Sequence, residues 1–195
     1  AHYLLGHAAP LVRHLDRIEA ATALIDSSPA GAGSTNGSRL PIDRGRLAEL
    51  LAFESMVRHT RDAMWAPDMA LDLVFACQHV MVSIDRLAEE LQLWTTEAFG
   101  FLEIGDDLSR TSVIMPHKKN PYSLTHLRGS ARHALGVVTG LTATMLTASG
   151  QPDNRTFAYR DVPDLVAETA RNTQLLAAVL AGARFDRASM MRAAD

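Results

Sequence analysis

Between Thr111 and Pro121 the chain reads Thr-Ser-Val-Ile-Met-Pro-His-Lys-Lys-Asn-Pro. A hydroxyl, an apolar hinge with a proline, a cation and a side-chain amide precede an expected helix N-terminus. Such a set can bind an anion: Lys118 supplies charge, Asn120 supplies N–H donors, and the first amides of a helix point outward at the positive end of its dipole. A dicarboxylate suits this chemistry; the alternative is a surface loop with ordinary lysines. The stretch from Asp26 to Arg39, made almost wholly of Gly, Ser, Ala and other small residues, is unable to pack, which makes it a linker or a backbone-rich binding loop. His7 and His14, seven apart, and His79 in an apolar stretch read as core or interface imidazoles. No carboxylate or cysteine set accompanies them at ligand spacing, so neither a metal nor a cofactor is expected.

These groups need elements to position them. Asn120 is expected to cap a helix with Pro121 at its first position, running to about Leu146. Phe99 to Lys119 breaks the helical pattern and reads as a long loop, of the kind that often forms a lid. Ala1 to Ile25 reads as helix from its first residue, with no capping residue before it, so the chain is expected to begin inside a larger element. Its stripe of Leu4, Leu5, Ala8, Leu11, Val12, Leu15 and Ile18 should pack one face, with a bend at Pro10. Pro41-Ile42-Asp43 opens a short helix to about Phe53. Ser149 to Arg160 is polar and irregular, and a last helix runs from about Val162 to Leu180, ending at Gly182. Met64, Met69, Met81, Met145, Met190 and Met191 read as core filler.

Met69 to Leu93 is the strongest helix in the sequence, roughly 38 Å long at 1.5 Å per residue. Its first half is apolar on nearly every side, which requires neighbours all round. A multi-helix bundle completed by other subunits supplies them; a central helix of a monomeric bundle is the other possibility.

Composition agrees with a helical, globular chain. Of 195 residues, 47% are hydrophobic, 21% charged and only 6% aromatic, and the abundant Ala, Leu and Met favour helix over strand. The net charge is −3 with 19 Lys and Arg spread along the chain, so neither nucleic acid nor an acidic membrane is an expected partner. No apolar run approaches about 18 residues. One cysteine, Cys77, excludes an internal disulfide and points to a reducing, cytoplasmic setting.

The Thr111 to Asn120 stretch resembles the signature loop of the fumarase/aspartase superfamily, G-S-S-x-M-P-x-K-x-N, and the whole chain resembles its argininosuccinate lyase branch. Ala30 to Gly37 followed by Pro41-Ile42-Asp43-Arg44 is similar to that branch's glycine-rich loop and its P-I-D-R continuation. Arg86 to Leu91, Phe99-Gly100-Phe101 and Leu127-Arg128-Gly129 match in order and at the right separations.

The resemblance implies an all-α, long-helix bundle of the fumarase/aspartase type. It divides into a central helical-bundle domain over 1–150, with the signature loop at about 103–120, and a segment over 151–195 holding the last bundle helix and the start of a small helical domain. It also implies a homotetramer with composite active sites, and an anti elimination from an N-substituted aspartate that releases fumarate. Ser112 falls on the family's base. Lys118 and Asn120 bind the substrate carboxylate and stabilise its enlarged charge, while Thr111, Met115, Ser34 and Thr35 join them as substrate-binding residues. The family's catalytic histidine falls in an H-T-H-like segment upstream of residue 1.

The chain departs from the family in several places. Thr111 replaces the signature glycine and Val113 its second serine. Thr125 stands where the family has a glutamate that charges and orients its histidine. Arg155 and Arg160 fall where the branch has the Tyr and Gln that hold the arginine moiety, and two cations there would repel a guanidinium and attract a carboxylate or phosphate. The resemblance thus implies an argininosuccinate-type lyase; Thr125 and Thr111 favour a non-catalytic structural or regulatory relative as the alternative.

Overall fold

A computed structural model describes residues 2–34, 37–64, 66–115, 117–146 and 155–193. Four long helices dominate: α1 (His2–Ile25), α4 (Pro67–Trp94), α5 (Tyr122–Thr144) and α6 (Arg155–Gly182), with short α2 (Arg44–Leu50), α3 (Thr60–Met64) and α7 (Arg187–Arg192). The chain is all-α in character. Two compact units divide it, the first formed by Ala1–His7, Gln78–Leu135 and Ala167–Asp195, the second by Ala8–Cys77 and Gly136–Val166.

The long helices bury residues at alternating spacings of three and four. In α5 these are Leu124, Leu127, Ala131, Ala134, Val138 and Leu141; in α6 they are Leu165, Thr169, Asn172, Leu176 and Val179. That spacing keeps one seam on one side of a helix, as bundles require. Each large side chain fully buried this way contributes about 1.5–3 kcal/mol. α4 buries Val74, Met81, Ile84, Ala88 and Leu91 yet leaves Phe75, Val82 and Leu93 nearly half exposed.

In the first unit, polar contacts fix neighbouring helices. Arg128 of α5 reaches α4 through Glu89 at 2.6 Å and Gln92 at 2.8 Å, with Asp85 at 3.8 Å. Tyr3 of α1 lies against Trp94 of α4, with ring centroids 5.8 Å apart. In the second unit the Arg44 guanidinium donates to the carbonyls of Ala30 (3.1 Å) and Val57 (2.7 Å), tying the glycine-rich loop to the segment after α2. Gly33 has φ +74, and a Cβ there would stand 2.6 Å from the Gly37 carbonyl oxygen, so only glycine fits.

Several expectations are corrected. In α1 the inward row is His14 and Ala21, flanked by half-buried Leu4, His7, Leu11 and Ile18, while Leu5, Val12 and Leu15 are exposed. At about 100° per residue Leu5 and Val12 lie nearly opposite His14, so the apolar stripe is wider than the one packed face. Pro10 lies inside α1 and does not end it, as expected. Helix α6 starts at Arg155, so 155–160 is helical and Pro163 lies inside the helix. Met191 is exposed, because short α7 leaves it outside any packed seam. Residues 149–154 lie outside the described residues.

Candidate active-site loop

The expected loop is organised by short ladders. Strands β1 (Ser27–Ser28) and β2 (Ser55–Met56) pair in the second unit. In the first, β3 (Leu102–Glu103) pairs with β6 (Arg184–Phe185), and β4 (Arg110–Thr111) runs antiparallel to β5 (Lys119–Asn120). Between β3 and β4 lies one turn of 3-10 helix, Asp106–Leu108. Two-residue strands carry no alternation to read, which is why the sequence shows a plain loop.

The β4–β5 hairpin holds the predicted groups together. Thr111 sits opposite Lys119, and the Ser112 N–H donates to the Lys118 carbonyl at 3.0 Å, just inside the ladder. The Ser112 hydroxyl accepts from the Met115 N–H at 3.1 Å, and the Lys118 N–H donates to the Met115 carbonyl at 2.8 Å. Ser112 is thereby half-buried at the neck, while Val113 and Ile114 at the tip are 92% and 90% exposed. Pro116 lies outside the described residues.

Asn120 does not cap α5. It occupies β5, paired with Arg110, and the helix starts at Tyr122 with the Pro121 carbonyl accepting from Leu124 and Thr125. Asn120 is drawn into the ladder instead, and the Pro121 carbonyl takes the first helical acceptor position, which moves the helix start along by one residue. Thr125 and His126 are exposed in the first turns of α5; the Thr125 hydroxyl faces the Pro121 carbonyl at 3.4 Å, and His126 Nε2 lies 3.4 Å from Ser130 Oγ.

The two lysines divide their work, a split the sequence did not show. Lys119 Nζ is 2.6 Å from Asp106 and 3.5 Å from Glu103, which Arg184 also approaches at 3.6 Å. Among the described residues no ion pair takes Lys118, which is exposed. The hydrogen bond from Lys119 holds the Asp106 carboxyl below its ordinary pKa, and the same bond raises Lys119. A depressed carboxyl stabilises the fold above the normal carboxylate range, and this contribution is lost as pH falls through the depressed value. Asp106→Asn should therefore speed amide exchange at Ser112 and Lys118 by about a few-fold near neutral pH, and the parent should approach the variant at low pH; equal rates at all pH would show that this pair does not anchor the hairpin.

The other predicted residues lie in the second unit. Ser34 is exposed and lines a pocket of about 450 Å³ with Gly31, Gly33, Phe53 and Met64. Thr35 lies outside the described residues. Arg155 is the first residue of α6, and exposed Arg160 pairs with Asp161 at 2.6 Å. Among the described residues no group of His, Cys, Asp and Glu could hold a metal ion.

A protein family described simply as lyase matches residues 1–136. The argininosuccinate lyase of Thermus thermophilus is 37% identical over all of this chain and 42% of its own length. The structure of an EDDS lyase in complex with formate superimposes with a TM-score of 0.86 and 28% identity, covering 97% of this chain and 38% of that one. A class II fumarase from Schistosoma mansoni, at 16% identity and TM-score 0.80 over 98% of this chain and 45% of its own, shares the fold. The chain spans about two fifths of the length of the relatives it matches. The family match over most of its length, the helical fold common to these enzymes and a signature hairpin with Ser112 at its neck lead to one conclusion: the chain belongs to the lyase family, and its sequence relatives are argininosuccinate lyases.

Proposed function

We propose that the protein is a carbon–nitrogen lyase that eliminates an amine or guanidine from an N-substituted aspartate and releases fumarate, with argininosuccinate, giving arginine and fumarate, as the first substrate to test. Ser112 takes a proton from the carbon beside one carboxylate, giving a doubly charged aci-carboxylate. Its electrons then form the carbon–carbon double bond, and the nitrogen departs with the C–N pair and is protonated. Lys118 and Asn120 hold the carboxylate; Thr111 and Met115 of the hairpin, and Ser34, Thr35, Arg155 and Arg160 through the composite sites of the assembly, are the further substrate-binding residues.

The observation that carries this reading is the Met115 N–H aimed at the Ser112 hydroxyl at 3.1 Å. Serine is a poor base near neutral pH, and a donor that favours its anionic form, with a nearby cation and exclusion of water, is what an alkoxide needs. Fumarate absorbance, followed with argininosuccinate and other N-substituted aspartates, tests it. Fumarate should appear; none from any of them would refute the reading.

Thr125 favours a second reading, a non-catalytic structural or regulatory relative, since a hydroxyl hydrogen-bonded to a backbone carbonyl supplies no charge to an imidazole. Thr125→Glu separates the two. If the missing carboxylate limits an active enzyme, turnover should rise or the pH optimum shift; no fumarate from either form would support the non-catalytic relative.

The proposed assembly is a homotetramer with composite active sites in the cytoplasm, binding a small dicarboxylate, with no cofactor, nucleic acid or membrane. The exposed Phe75, Val82 and Leu93 of α4 support a further chain against that face. Among the described residues no helix is long and apolar enough to cross a membrane. Light scattering should give the mass of four chains, and a monomeric mass would sink the assembly.

A further inference from the structure

Side chains of an antiparallel ladder alternate between its two faces, and residues directly opposite each other share one. Arg110 stands opposite Asn120 and Thr111 opposite Lys119, and the bond from the Ser112 N–H to the Lys118 carbonyl carries the pairing one step further toward the tip. Thr111 and Lys119 therefore lie on one face, and Arg110, Ser112, Lys118 and Asn120 on the other. Side-chain contacts agree with this division. Lys119 turns to Asp106 and Glu103, whereas the Arg110 guanidinium carbon lies 5.8 Å from the centre of the Tyr122 ring, two residues beyond Asn120. The face that carries the proposed base and both carboxylate-binding groups thus holds a second cation.

We infer that Arg110 is a further substrate-binding residue, whose guanidinium takes a second carboxylate of the molecule that Lys118 and Asn120 hold by its first. The inference rests on the lyase reading above. Arg110 is exposed, and among the described residues no carboxylate pairs with it and no carbonyl accepts from it. A cation over an aromatic ring keeps its N–H donors, so the Tyr122 contact leaves the guanidinium fork available. A substrate with two carboxylates brings two negative charges to this face, and Lys118 offsets only one. The Arg110–Asn120 pair lies two residues below the Ser112–Lys118 pair, roughly 7 Å along the strands, a separation long side chains bridge to two carboxylates of one small molecule. Guanidinium and carboxylate meet through two parallel N–H···O bonds, which fix orientation as well as attract. That contact is complete before the proton leaves and persists in the product, so Arg110 acts on binding and not on the chemical step.

The test uses the whole protein and its Arg110→Gln and Arg110→Lys variants. Fumarate release is followed with argininosuccinate, and calorimetry measures binding of fumarate and of fumaramate, in which an amide replaces one carboxylate. Arg110→Gln should raise KM about 10- to 100-fold with kcat within about threefold of the parent. Arg110→Lys should recover part of the loss, because it keeps the charge without the fork. A KM rise together with loss of any preference for fumarate over fumaramate assigns the other carboxylate of the succinyl unit; a KM rise that leaves their relative binding unchanged assigns one on the nitrogen substituent. A KM within about twofold of the parent overturns the inference and leaves the lyase reading standing. So does a loss confined to kcat with faster amide exchange at Ser112, the mark of a loosened hairpin and not of a lost contact. If no aspartate yields fumarate, the lyase reading falls, and calorimetry decides Arg110. Fumarate or argininosuccinate binding that weakens about tenfold or more in Arg110→Gln upholds the contact, and absent or indifferent binding overturns it.

Discussion

Ser112→Ala is expected to lower turnover by a factor of about 10² to 10⁴, the usual cost of removing a general base, while leaving substrate binding nearly unchanged. The hairpin makes this a clean experiment. Its frame is backbone: the Arg110–Asn120 and Thr111–Lys119 pairs and the Ser112 N–H to the Lys118 carbonyl, none of which involves the hydroxyl. The substitution removes one acceptor, for the Met115 N–H, at an exposed turn where water replaces it. Lys118 and Asn120 remain to hold the carboxylate, so KM should barely move and the loss should appear in kcat. Turnover within about twofold of the parent would refute Ser112 as the base, and with it the main step of the proposed mechanism. A large rise in KM at unchanged kcat would place the hydroxyl on the carboxylate instead of the proton.

What could be read from the sequence follows from the length scale of each feature. α5 was legible because its buried positions recur every three or four residues over about five turns, and α4 because its apolar run is too long for a strand. α1 was legible as a helix but not in its packing, since Leu5, Val12 and Leu15 lie outside the row of His14 and Ala21 that turns inward. The polar, irregular look of Ser149 to Arg160 hid the true start of α6 at Arg155, because the stretch carries no apolar stripe to read. The signature residues announced themselves by type and order. Their arrangement did not: two-residue ladders leave no pattern, and nothing in a Lys-Lys pair says that Lys119 reaches back to Asp106 while Lys118 stays exposed. A pocket of about 460 Å³ in the second unit was invisible for another reason. It collects Ile25, Phe53, Met69, Met145 and Tyr159, residues that only folding brings to one place.

That division between the lysines makes Lys118→Ala the second decisive substitution. The Lys118 backbone is fixed on both sides, its N–H on the Met115 carbonyl and its carbonyl on the Ser112 N–H, so truncating the side chain removes charge and leaves the turn. Lys119 cannot replace it while held by Asp106 and Glu103. A cation facing the substrate carboxylate interacts with one negative charge in the ground state and with two as the aci-carboxylate forms, so its loss should weaken binding and turnover together, with kcat/KM down about 10² to 10³-fold. Lys118→Arg keeps the charge but on a planar, wider group, and should recover only part of the loss. Because Lys118 is exposed, salt should raise KM in the parent and do so less in Lys118→Ala. Lys119→Ala gives the opposite signature, a loosened hairpin whose faster amide exchange accompanies a fall in turnover. If Lys119→Ala raises KM more than Lys118→Ala does, the carboxylate is held by Lys119, and the Asp106 pair is a resting contact that substrate displaces.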